Sequence, residues 1–153
     1  NQSTYWLFFE LIWRDFFKFI SLKHGNAIFK LEGILNVAYN WTENSKFVKE
    51  WTEGRTADDF VNSNMIELKN TGWMSNRGRQ NVASFFAKTL KIDWRIGAAY
   101  FESMLLDYDV HSNYGNWMYV SGVGNDPRDR TFNLKRQAEM YDGDKLFRNH
   151  WLK

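Results

Sequence analysis

Large apolar residues recur at spacings of three and four along nearly the whole chain, and no stretch of useful length alternates apolar with polar at a period of two. A chain patterned this way can bury its apolar surface as helices and carries no signal for strands, so the predicted fold class is all-α. The first run is the longest. Trp6, Phe9, Trp13, Phe16, Phe17 and Ile20 line one face of a helix from Ser3 to Leu22, and the additional Phe8, Leu11, Ile12 and Phe19 predict burial on more than one side. His24-Gly25-Asn26 ends it. Further helices are predicted at Ser45 to Thr52 and from about Asp59 to Asn70, the latter with carboxylates near its start, Lys69 near its end and Gly72 as a stop. The polar run Ser75 to Arg79 reads as a hinge, after which Val82, Phe85, Phe86 and Leu90 resume helical spacing. Asp93 caps a helix carrying Ile96, Tyr100, Met104 and Leu105, which stops before the turn Asp107-Tyr108-Asp109. Asn113 to Tyr119 reads as a short helix, Gly122 to Pro127 as a loop, and Lys135 to Tyr141 as a last helical turn or two.

At 153 residues the chain is one domain at most, residues 1–153, and long enough to bury roughly 70% of its unfolded surface without staples. It has no cysteine, which excludes a disulfide framework, a thiol nucleophile and a Cys-type zinc site and leaves the redox compartment open. The formal net charge of +2 argues against a polybasic tail that coats DNA. The longest apolar stretch, Tyr5 to Trp13, is interrupted by Glu10 and is too short to span a bilayer, so no membrane insertion is expected. Aromatic residues make up 18% of the chain, supplying large rigid surfaces for packing, for stacking on a planar ligand, or for both. The chain begins at Asn1 without an initiator Met and reads as a processed or excised piece.

Common catalytic patterns are missing. His24, His111 and His150 are too scattered for a spaced metal pair, so no metal site is expected. Gly122-x-Gly124 lacks the third glycine and the preceding strand of a dinucleotide loop. More informative are hydrogen-bonding residues set among aromatics: Asn76, Arg77, Arg79 and Gln80 open one helix, and Asp107, Asp109, Asn113 and Asn116 precede Trp117. Groups so placed must pair, because an unsatisfied buried polar group costs roughly 1–3 kcal/mol. Arg79 with Asp107 is a candidate buried pair. On pattern alone a structural network at helix ends accounts for these residues better than a functional one.

Several long motifs, in order, resemble the photolyase/cryptochrome flavoprotein family. They are Glu10-Leu11-Ile12-Trp13-Arg14-Asp15-Phe16, the run Thr71-Gly72-Trp73-Met74-Ser75-Asn76-Arg77-Gly78-Arg79-Gln80-Asn81-Val82-Ala83-Ser84, then Asp93-Trp94-Arg95 and Asp107-Tyr108-Asp109. Ser112-Asn113-Tyr114-Gly115-Asn116-Trp117, followed by Gly122-Val123-Gly124-Asn125-Asp126-Pro127-Arg128, is similar to the cryptochrome-DASH branch in particular, as is Gln80. The resemblance spans nearly the whole chain and corresponds to the C-terminal, helical FAD-binding part of that family. The family's α/β antenna domain and the first stretch of its helical domain are not among these residues.

What the resemblance implies is a helical cup for FAD folded into a U, beneath a cavity that admits a pyrimidine dimer flipped out of DNA, with light driving electron transfer. Asp107 and Asp109 would contact the flavin and adenosine portions, Arg79 would hold Asp107, Asn113 would face the flavin N5 edge, and Arg14 would lie nearer the phosphates. Glu10 and Asn76 would hydrogen-bond the lesion's base edges, Trp13 would stack on it, and Gln80 and Tyr119 would complete the substrate site. Tyr119 stands where duplex-repairing relatives carry a second stacking Trp, a replacement that fits the branch favouring lesions in single strands. Trp117, Trp94 and Trp41 would form the electron relay from flavin to surface; as plain residues, they are equally core-packing hydrophobes. Glu10 is equally readable as a paired helix carboxylate. Implied partners are single-stranded or lesion-containing DNA, and a protein covering the face that the missing half would occupy. An assembly subunit or a single-strand binding module are the alternatives. Between Arg55 and Asn62 the sequence departs from the family's G-x-T-G-x-P-x-V-D pattern: Ala57, Asp59 and Asn62 replace its second Gly, its Pro and its Asp, predicting a turn without their conformational bias.

Overall fold

The computed structural model describes residues 2–126 and 128–153; Asn1, and Pro127 at the end of the predicted loop, lie outside them. Among the described residues eight α-helices follow one another: α1 (Gln2–His24), α2 (Ser45–Thr52), α3 (Asp59–Thr71), α4 (Asn76–Ser84), α5 (Trp94–Met104), α6 (Val110–Ser121), α7 (Leu134–Tyr141) and α8 (Leu146–Trp151). A 3₁₀ turn, Gly25–Phe29, follows α1, and a π-helical segment, Phe85–Thr89, extends α4. Extended pairing among the described residues is limited to one isolated bridge between Thr42 and Ile92. The all-α fold expected from the spacing is the fold observed.

Most helices start on a side-chain oxygen that accepts from an otherwise orphaned N–H. Asn44, Asp58, Ser75, Asp93, Asp109 and Asn133 do so for α2 to α7. Ser75 accounts for the main local difference from the sequence reading. Its hydroxyl accepts from the Gly78 N–H at 3.0 Å, so the run expected as a hinge is the first turn of α4. Likewise Asp109 starts α6 three residues before the predicted short helix. The α3 stop is Gly72, as expected. The turn that lost its Gly and Pro is held by a different device: the N–H and hydroxyl of Thr56 both donate to Asn62 Oδ1 at 2.7 Å, and Asn62 Nδ2 donates to the Thr56 carbonyl at 2.9 Å.

The core is built from Trp51, Met65, Leu68, Val82, Phe86, Trp94, Phe101 and Trp117. Trp51 is wholly buried, with its indole N–H donating to the Val82 carbonyl at 3.1 Å. Helix α6 is the hub, packed by α1, α4 and α5. Two glycines permit the close approach. A Cβ on Gly97 would sit 2.2 Å from the Trp117 ring, and one on Gly115 would sit 2.3 Å from Phe17. The structure corrects the expectation for α1. Only Phe17 and Ser21 are buried in it, while Trp6, Leu7, Phe8, Leu11, Ile12, Phe19 and Leu22 are exposed. One face of α1 rests on α6, and no described element covers the other.

Candidate functional site

The α4 N-terminal half, the α5–α6 connection and the first turns of α6 enclose a cavity of about 300 Å³. Its lining includes Asn76, Arg79, Gln80, Phe101, Asp107, Asp109, Asn113, Asn116 and Trp117. Arg79 Nη2 donates to both oxygens of Asp107 at 2.9 Å, and Arg79 Nε donates to the Met74 carbonyl at 2.8 Å. The anticipated pair is therefore present, with one guanidinium nitrogen bridging both carboxylate oxygens while Nε is spent on the backbone. It is not buried, since 56% of the Asp107 side chain is exposed. Asp109 caps α6, its Oδ1 accepting from the Ser112 N–H at 2.8 Å. Burial alone would raise the Asp109 pKa, but hydrogen bonds from Ser112 and the nearby His111 outweigh it, and the carboxyl is held below its ordinary value. Asn113 is buried and donates from Nδ2 to the Ala98 carbonyl at 3.0 Å, which fixes the turn of the amide and leaves its oxygen for another partner. Tyr108, on the same wall, is pushed up to about 12 by burial and a hydrogen bond with Glu102, so its phenol stays protonated.

A second cavity of about 430 Å³ lies beside the first. Glu10, Trp13, Arg14 and Phe17 of α1 form one wall, and Asn76, Gln80, Asn116, Tyr119 and Arg130 others. Trp13 and Tyr119 meet edge to face, ring centroids 6.1 Å apart at 79°. Arg130 Nη2 donates to the Tyr119 hydroxyl at 2.6 Å and Arg130 Nε to Asp126 Oδ2 at 3.0 Å, which ties the ring to the loop after α6. Arg77 Nη1 donates to Gln80 Oε1 at 2.9 Å, so that amide presents its nitrogen elsewhere. Asn76, Gln80, Ser112, Asn116 and Val120 line both cavities.

The residues expected at a flavin, Asp107, Asp109, Asn113 and Arg79, thus come together in the first cavity, and those expected at a lesion, Glu10, Trp13, Asn76, Gln80 and Tyr119, in the second. Arg14 falls with the second group; its side chain is exposed and lies 3.7 Å from Asp15. Trp117 reaches the first cavity with its indole N–H buried and unpartnered among the described residues. It packs on Trp51, Phe86 and Phe101, ring centroids 6.1, 6.0 and 5.2 Å away. Trp94 begins α5, one turn before the glycine that seats Trp117, and donates to the Leu31 carbonyl at 3.0 Å. Trp41 is half-buried beside the Thr42–Ile92 bridge, against Tyr39. Sequence reasoning missed Tyr108, Ser112 and Arg130 as wall residues. Ser112 was legible in principle, being four residues before Asn116 on one helix face; Arg130 comes from an irregular segment with no periodic signal.

A family profile described as the FAD binding domain of DNA photolyase matches residues 6–153. The chain is 54% identical over 153 residues to the cryptochrome DASH of Danio rerio, covering 99% of this chain and 29% of that protein. It is also 54% identical to the cryptochrome DASH, chloroplastic/mitochondrial, of Oryza sativa subsp. japonica, covering 99% and 26%. A crystal structure of a Synechocystis cryptochrome superposes with a TM-score of 0.97 at 54% identity, over 99% of this chain and 32% of that one. An archaeal photolyase from Sulfolobus tokodaii, described with two FAD molecules, superposes with a TM-score of 0.87 at 34% identity, over 94% and 34%. The chain therefore spans about three tenths of the length of the relatives it matches.

Proposed function

Because this chain belongs to the family of FAD-binding domains of DNA photolyases, we propose that its first cavity holds the ring portion of FAD and its second receives a pyrimidine dimer turned out of a single DNA strand. The protein that carries it would then be a light-dependent lyase of the deoxyribodipyrimidine photolyase type or a blue-light receptor using the same site. The observation that carries the reading is the shared wall: Asn76, Gln80 and Asn116 face both cavities, so occupants of the two stand against each other.

The donor set suits a flavin and an adenine. Apolar Phe101, Leu105 and Val120 offer contact surface, while the Asn113 oxygen and the two Asp carboxylates supply polar partners. It suits a diphosphate less, since Arg79, the cation among the described lining residues, is committed to Asp107. FAD, when bound, supplies a light-driven one-electron couple. The chain's own residues orient the partners. Arg79 fixes the Asp107 carboxylate, Asp109 stays ionised as an acceptor for a ligand N–H or hydroxyl, and Asn113 turns its oxygen to the flavin edge. In the second cavity Trp13 stacks on a base, Glu10 and Asn76 hydrogen-bond its polar edge, and Gln80 and Tyr119 close the sides. A lesion in a single strand arrives without the unpairing cost of a few kcal/mol, which suits a site with one stacking Trp and a Tyr. Trp117 at the first cavity, the buried Trp94 and the half-buried Trp41 are the residues assigned to the relay. The test is absorption spectroscopy of the full-length protein with and without added FAD, paired with binding of single strands bearing a thymine dimer. Bound flavin and lesion-dependent affinity support the reading; protein that stays colourless with FAD contradicts it.

A second reading has its own observation. Leu7, Phe8, Phe19 and Leu22 stand exposed together with Trp6, Leu11 and Ile12 on α1, and an apolar ridge of this kind favours a protein surface against it, as in a structural subunit of an assembly.

A further inference from the structure

Arg77 lines the second cavity, where its Nη1 donates to Gln80 Oε1 at 2.9 Å. The same guanidinium lies over the Tyr141 ring, 4.9 Å from its centre, within cation–π range. Tyr141 is not part of the cavity wall; it stands beside it and is 49% exposed. Among the described residues Arg77 makes no ion pair and the Tyr141 hydroxyl no hydrogen bond.

Both ends of the segment that carries this ring are anchored. Asp142, next in the chain, is buried, with its N–H donating to the Ala138 carbonyl at 2.9 Å and its carboxylate held by Arg148. One turn earlier, Gln137 Oε1 meets Asn81 Nδ2 at 3.5 Å, which seats the face of α7 that bears Tyr141 on α4. A ring so fixed and still half-exposed costs little further ordering when a ligand stacks on it.

We infer that Tyr141 is a stacking subsite for the nucleobase next to the dimer, on the strand that leaves the second cavity past Arg77. This rests on the reading that the second cavity receives the dimer. Charge favours a strand over a protein surface as the occupant: Arg14, Arg77 and Arg130 line the cavity, and Glu10 is the one carboxylate among the described lining residues. Arg77 keeps donors beyond the one given to Gln80, and these suit a phosphate at the rim. The ring takes the base, and because every base has a π-face the subsite is tolerant of sequence. The site thus binds a dimer as part of a strand and gains affinity from the nucleotide beyond it.

The experiment uses the full-length protein with FAD added and short single strands in which 2-aminopurine, whose fluorescence falls on stacking, stands immediately before or immediately after a thymine dimer. The expected result is quenching at one of these positions in wild type and in Tyr141→Phe, which keeps the ring, and its loss in Tyr141→Ala. The Ala change weakens binding of these strands roughly 5- to 100-fold. The slope of log affinity against log salt stays the same, because the ring carries no charge. The weakening is far smaller for the bare dinucleotide dimer, which ends before the ring. Absence of quenching at both positions in wild type, quenching that persists in Tyr141→Ala, or an equal loss for strand and bare dimer overturns the inference. Wild-type protein that binds strands no better with the dimer than without it overturns the reading of the second cavity, and this inference with it.

Discussion

Asp142 is nearly buried, yet it accepts from Arg148 Nε at 2.6 Å and from the N–H groups of Phe147 and Arg148 at 2.9 and 3.2 Å. Burial raises its pKa, the Arg148 side chain and the two N–H groups lower it more, and the carboxyl ends below its ordinary value. The unfolded chain thus binds this proton at higher pH than the folded one. The stabilisation is complete above the unfolded value of roughly 4 and is lost as pH falls through the lower folded value. Asp142→Ala leaves the half-buried Arg148 guanidinium with only the carbonyl of residue 142, strands the N–H groups of Phe147 and Arg148, and is expected to cost about 1–3 kcal/mol at neutral pH. Melts at neutral and acidic pH check this: the gap between wild type and variant closes on acidification, and a gap that widens would contradict it. Gly97 offers a second test. Gly97→Ala must displace Trp117 or α5 and is expected to cost roughly 1–3 kcal/mol, with a change in the near-ultraviolet circular dichroism of the aromatic core. At this scale the Arg79–Asp107 pair was legible because two long motifs fix both partners. The place of Arg14 was not, because a long exposed side chain on α1 can reach towards either cavity.

Among the elements, α2 and α3 were readable to within a residue, α3 from the carboxylates at its start and Gly72 at its end, and the structure adds Asn44 as the cap of α2. Two elements were not. Helix α8 is preceded by Lys145, with a left-handed φ of 61, and is organised by Asp142, four residues before its first residue, rather than by an apolar stripe. The π segment after α4, where the Leu90 N–H reaches back to the Phe85 carbonyl at 2.9 Å, carries no sequence signal. It rests on the packing of Phe86 against Trp51 and Trp117, at 4.5 and 6.0 Å, which propensity cannot see. The reading of α1 failed for a related reason: hydrophobicity reports what a helix can bury, and α1 meets described partners on one face only. If that ridge docks a protein surface, the paired changes Leu7→Glu and Phe19→Glu leave helix content unchanged in far-ultraviolet circular dichroism and abolish co-purification with the partner. Loss of helix content would show instead that the ridge supports this domain's own fold.

For the molecule as a whole, the fold was legible from helical spacing. The division of the site into two adjoining cavities was legible only through the family motifs and not through spacing, because it depends on how α1 and α4 each pack on α6. Among the described residues no helix is long and apolar enough to cross a membrane. The second cavity combines Trp13 and Tyr119 with Arg14, Arg77 and Arg130, aromatic faces among cations that suit a single strand. Affinity for a single strand should therefore fall as salt rises, as counterions released by the phosphates become less favourable to release. Titrations at two ionic strengths check this, and salt-independent binding would contradict it. The central claim, however, concerns the first cavity. Its most direct measurement is the visible absorption spectrum of the full-length protein purified from its natural source, beside that of its Asp107→Ala variant. A flavin spectrum in near one-to-one ratio that weakens sharply in the variant is predicted; a colourless wild-type protein that takes up no added FAD would contradict the account.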